Sequence, residues 1–97
     1  MSETVRSEHL GALVVTMPAS MLGQEIEVVA AHEPTGHQRP HVAVVDRPVA
    51  EGGRVPSLVF PKLPEGSYWL APRDTDDVHL TVEVHGGEVT TAAWPCC

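Results

Sequence analysis

The sequence predicts an all-β fold: a seven-stranded antiparallel β-sandwich of Greek-key type. Three observations lead there. Val78, Leu80, Val82 and Val84 fall on every second position, the period of a strand with one buried face. In the passage Phe60-Pro-Lys-Leu-Pro-Glu-Gly-Ser-Tyr-Trp-Leu70 one strand ends, a Pro-Glu-Gly turn reverses the chain, and a second apolar strand begins at Tyr68. Turn residues recur along the whole chain, and no segment carries the 3.6-residue period of a helix.

The elements follow in order. Residues 1–9 read as a flexible lead-in, 10–95 as a single domain and 96–97 as a tail. Residues 10–17 are continuously apolar and β-branched, which suits a strand buried on both faces or central in its sheet. The stretch from Pro18 to Gly23 forms a turn or one helical turn, with Ser20 as a potential cap. In the strand expected over 24–31, Ile26 and Val28 share one face, while Glu25 and Glu27 point to water. Residues 32–40 carry Glu-Pro, Thr-Gly and Arg-Pro and read as a loop; 41–46 is the third strand. Pro48 and Glu51-Gly-Gly-Arg54 turn the chain into a short strand at 57–60, which Pro56 and Pro61 mark as an edge or an ending. Strands at 68–71, 78–84 and 88–94 complete the set, with Gly86-Gly87 suited to a two-residue hairpin turn.

Composition bounds the function. The chain has 97 residues and a net charge of −7, from thirteen acidic and six basic residues, so a nucleic-acid partner or an anionic membrane surface is not expected. No stretch approaches the ~20 apolar residues of a membrane-spanning helix. The polar opening Met-Ser-Glu-Thr-Val-Arg-Ser-Glu-His lacks the features of an export signal, and a cytoplasmic location is expected. Lys62 is the only lysine against five arginines, a usage typical of GC-rich bacterial coding.

Phe60, Leu63-Pro-Glu-Gly66, Tyr68 and Leu70 resemble a recurring passage of prealbumin-like sandwiches, the carboxypeptidase regulatory-like and collagen-adhesin B-type repeats. The stretch Leu80-Thr-Val-Glu-Val-His-Gly-Gly-Glu-Val-Thr is similar to their terminal hairpin, and 11–17 with 23–29 to their opening pair. The resemblance implies a fold more than an activity. The related hydroxyisourate hydrolases end in Tyr-Arg-Gly-Ser, whereas this chain ends Ala-Trp-Pro-Cys-Cys. The adhesins' isopeptide crosslink needs an asparagine, and the sequence has none.

Chemistry-bearing residues leave three readings open. In the first, the protein is a non-catalytic accessory or protein-interaction module. It docks on another protein through Trp69 beside Pro72, or pairs with its own kind along an exposed sheet edge. In the second it binds or carries a thiophilic ion, Cu or Zn. The adjacent Cys96 and Cys97 supply soft ligands, and Glu83 and His85, about 7 Å apart on one strand face, supply a second pair. His79 shares that face but lies roughly 20 Å from His85. The spacing of His37 and His41 would suit a metal on a helix, but Pro40 argues for a loop. The third reading is a small hydrolase. Ser57, His41 and Asp46 can be assembled into a triad, yet no Gly-x-Ser-x-Gly elbow places a nucleophile. Asp74-Thr-Asp-Asp77 has the oxygen density of a weak calcium loop without its spaced ligands.

Overall fold

The β-branched runs become strands that repeatedly change partners. The computed structural model describes residues 10–31, 40–75 and 77–95. Among the described residues eight strands are found: β1 (Leu10–Thr16), β2 (Glu25–Ala30), β3 (His41–Ala43), β4 (Val45–Pro48), β5 (Arg54–Pro64), β6 (Gly66–Pro72), β7 (Leu80–Val84) and β8 (Val89–Ala93). They form two four-stranded sheets, ordered β4-β5-β1-β8 and β3-β2-β6-β7. Pairing is antiparallel throughout except between β1 and β8, which run parallel, with Leu13 opposite Thr90 and Val15 opposite Ala92.

Strand period dictates the core. Leu13 and Val15 of β1 and Leu58 and Phe60 of β5 point inward from one sheet, and Ile26, Val28, Tyr68 and Leu70 from the other. Val84, Leu63, Met17 and Trp94 close the ends of this cluster. Aromatic residues are few, but Phe60, Tyr68 and Trp94 are all spent on the interior.

The expected seven strands become eight because the run over 41–46 is divided at Val44. That residue is 2% exposed and plugs the core where the chain crosses between sheets. Its N–H donates to the Gln24 carbonyl, and its own carbonyl accepts from the Gly23 N–H. β3 therefore pairs with β2, and β4 with β5. Between β1 and β2 the crossing is made by a 3-10 turn, Ala19–Met21, which has no side-chain cap.

Two further expectations are corrected. The short strand expected at 57–60 is part of an eleven-residue strand, β5, which lies between β4 and β1 rather than at an edge. Its prolines are tolerated locally. Pro61 falls where the β1–β5 register slips between Gly11 and Leu13, so that a bulge absorbs the missing N–H. Pro56 lies past the last β1 pair, Thr16 with Ser57, and its carbonyl accepts from Met17.

The second correction concerns the turns at Glu65 and at Gly86-Gly87. Neither makes a hairpin: β5 and β6 lie in different sheets, as do β7 and β8. Each turn is an arch over the end of the sandwich. A two-strand alternation with a glycine turn looks the same in sequence whether the second strand pairs with the first or faces it. Three contacts fix the arches. The Tyr68 hydroxyl donates to the Pro64 carbonyl at 2.6 Å, tying β6 back to the end of β5. The Gly86 N–H donates to Glu65 Oε1 at 3.0 Å, joining one arch to the other. Gly11 passes so close beneath the β7–β8 arch that an added Cβ would lie 2.3 Å from the His85 carbonyl oxygen.

Burial holds the Tyr68 phenol above the ordinary tyrosine pKa of 10.0. The folded chain thus keeps this proton at a pH where the unfolded chain loses it. The stabilisation is whole below the unfolded value and is lost as pH rises through the folded one. Tyr68 is the single tyrosine, so ultraviolet difference titration reads it directly. The phenolate midpoint should lie above 10.0 in the native protein and fall there in denaturant. Tyr68→Phe should cost ~1 kcal/mol in denaturant melts by removing the tether to Pro64.

Candidate interaction surface

The two outward faces of the sandwich differ sharply in chemistry, and the difference follows from strand composition. On the β4-β5-β1-β8 sheet, alternation turns four cross-strand rows outward, the outermost being Arg47 with Val55. Val45, Ser57, Thr16 and Ala93 form the second; Val59, Val14 and Thr91 the third; Ala12 and Val89 the fourth. No acidic or basic side chain occurs in these last three rows. Val45 and Val89 are 44% and 63% exposed. Beside them Arg47 is turned onto the sheet, donating from Nη1 to the Ser57 carbonyl at 2.6 Å and to its hydroxyl at 3.1 Å.

The opposite face, on β3-β2-β6-β7, is acidic. Glu25 and Glu27 project from β2 and Glu83 from β7. Glu25 is exposed as expected, but Glu27 is only 5% exposed, contrary to the wet side expected for both. The turn after β6 is responsible. Arg73 pairs with the Glu25 carbonyl through its N–H and with Glu25 Oε1 through its guanidinium, and the Asp74 N–H donates to Glu27 Oε2 at 3.0 Å. Asp74 adopts φ 68° to do so, a conformation that aspartate tolerates better than most residues.

Trp69 is half-buried on this face, in a cross-strand row with Val29 and Thr81. Pro72 lies three residues on, and alternation puts it with Tyr68 and Leu70 on the other side of the sheet. The two residues expected to anchor a partner together therefore do not share a surface. The Pro72 carbonyl accepts from both the N–H and the hydroxyl of Thr75.

Glu83 and His85 are both exposed. Glu83 accepts a hydrogen bond from the Ser67 hydroxyl at 3.1 Å, and β7 ends at Val84, which places His85 in the arch. Cys96 and Cys97 lie outside the described residues, as do His9, His32 and His37. Among the described residues, no group of three or more His, Cys, Asp or Glu side chains is placed to hold a metal ion.

His79 departs from the polar strand face expected for it. It precedes β7, so strand alternation does not govern it. Its ring stacks on Trp94 at a centroid distance of 5.1 Å, and Nε2 lies 3.2 Å from Asp77 Oδ2. The Asp77–His79 segment is thus a cover for the buried tryptophan. In the calcium-loop stretch, the Asp77 N–H is itself held by the Thr75 hydroxyl.

Sequence reasoning missed the apolar outer face. The signal was present in the unbroken apolar run over 10–17, whose second face must go somewhere once the strand is central in a two-layer sandwich. No helix among the described residues is long and apolar enough to cross a membrane. The class these observations define is a two-sheet β-sandwich with one apolar and one acidic outer face. No protein-family model, curated protein or solved structure matches the chain.

The Arg73 guanidinium hydrogen-bonded to Glu25 holds that carboxyl below its ordinary value of 4.5. Its contribution to stability is present above the unfolded value and is lost as pH falls through the lowered one. Carbon-13 NMR titration should place the Glu25 midpoint below 4.5 and return it there in Arg73→Ala.

Proposed function

We propose that this protein is a non-catalytic accessory module, a small sandwich of prealbumin-like, Greek-key type that works by docking on another protein. The observation that carries the reading is the outer face of the β4-β5-β1-β8 sheet. Its rows of valine, alanine, threonine and serine contain no acid, and the one base beside them, Arg47, is tied down on Ser57, in a chain of net charge −7. Exposed apolar surface of this kind costs free energy in water and is recovered when a partner covers it. The return of β5 beside β1 and of β6 beside β2, each antiparallel and reached through crossings between the sheets, supports the Greek-key reading. Trp69, half-buried among acidic side chains on the other face, offers a second and smaller anchor.

The test is retention of a stoichiometric partner by immobilised protein. Val45→Lys, a change at a side chain 44% exposed on the apolar face, should weaken retention at least tenfold while leaving the melting temperature within a few degrees. Loss on Trp69→Ala instead would move the docking surface to the acidic face. Ester turnover abolished by one serine or histidine substitution would overturn the non-catalytic reading.

A further inference from the structure

We propose that the chain forms a homodimer in which β8 pairs antiparallel with β8 of a second copy, Thr91 facing Thr91 across the two-fold axis. This rests on the docking reading above and names a partner for one border of the same sheet.

Among the described residues the two sheets end in four edge strands. β3 has only three residues; β4 carries Asp46, Arg47 and Pro48; β7 carries Glu83, whose carbonyl already accepts from the Thr90 hydroxyl. Short length, charge and proline are the devices that keep sheet edges from pairing. β8, Val89-Thr-Thr-Ala-Ala93, has five residues, no charge and no proline. Among the described residues it has β1 on one side only.

Its free hydrogen-bonding groups can be assigned. The Glu88 carbonyl accepts from the Ala12 N–H, and the Trp94 N–H donates to the Thr16 carbonyl, so even-numbered residues direct their backbone groups toward β1. Those of Val89, Thr91 and Ala93 therefore point outward, at the spacing an added strand requires. Their side chains are exposed on the apolar face.

Charge and pattern then favour a second copy. Each copy carries −7, and a contact between acidic faces would set Glu25 and Glu83 against their like. Across β8 no charge opposes another. Centred on Thr91, the antiparallel register sets Val89 opposite the partner's Ala93, a branched side chain beside a small one, and a threonine pair at the axis. The two four-stranded sheets become one continuous sheet, and the apolar rows of the two copies run on into each other.

Sedimentation of the full chain should show a monomer–dimer equilibrium with Kd of about 10–100 micromolar, in keeping with a small interface. Raising salt from about 0.05 to about 0.5 M should tighten it by screening like-charged copies. Thr91→Lys places two cations at the axis and should weaken dimerisation at least tenfold without lowering the melting temperature by more than a few degrees. In a Cys96→Ser/Cys97→Ser background, Thr91→Cys should crosslink to a dimer with diamide, since directly paired Cα atoms ~5.5 Å apart suit a disulfide. A chain monomeric at every concentration, or a dimer indifferent to Thr91→Lys and not crosslinked through residue 91, overturns the inference. A monomer that retains a partner lost in Val45→Lys sinks self-pairing alone. A dimer sensitive to Thr91→Lys that retains no partner upholds self-pairing and sinks the docking reading.

Discussion

The arches at one end of the sandwich are the constraint on which the rest of the structure depends. Strands in a two-layer sandwich contribute to one core only if the chain crosses between layers, and here it does so four times. At two of those crossings the backbone must turn tightly enough to bring inward-facing residues opposite each other. Tyr68 tied to Pro64 holds one arch, and Glu65 bonded to Gly86 couples it to the other. Gly11 lets β1 run beneath the second arch, where the Gly87 N–H also reaches the Leu10 carbonyl. Leu63, Tyr68 and Val84 are buried at this closed end.

What could be read from the residues was their periodicity. Alternation identified the strands around Val82, Leu70 and Val28 and the inward direction of most of their apolar side chains. Pairing was less legible, because hairpin and arch share a grammar of strand, glycine turn and strand. The division at Val44 was hidden for a related reason. A β-branched residue that plugs the core at a crossing looks like the middle of a strand. Pro61 misled in the other direction, since a bulge let a central strand keep a proline that usually marks an edge.

The surfaces divide along the same lines. Glu27 looked solvated because period alone sends it outward; its burial depends on Arg73 and Asp74, more than forty positions away, folding over β2. His79 looked like part of a polar strand face, but it lies before the strand begins and stacks on Trp94 instead. The apolar outer face arises from the converse. Ala12, Val14 and Val59 are half-buried on the outer face of the other sheet, where the central position of β1 gives it a second face to fill. An acidic chain that keeps its carboxylates out of the rows of one face and its charge off one edge holds that charge where association is unwanted.

The central claim is that β8 belongs beside β1 and not beside β7. Cross-strand nuclear Overhauser contacts between backbone protons test it most directly. The account predicts a parallel ladder joining Leu13 with Thr90 and Val15 with Ala92. An antiparallel ladder joining Val84 to Val89 and Val82 to Thr91 around the glycine turn would contradict it.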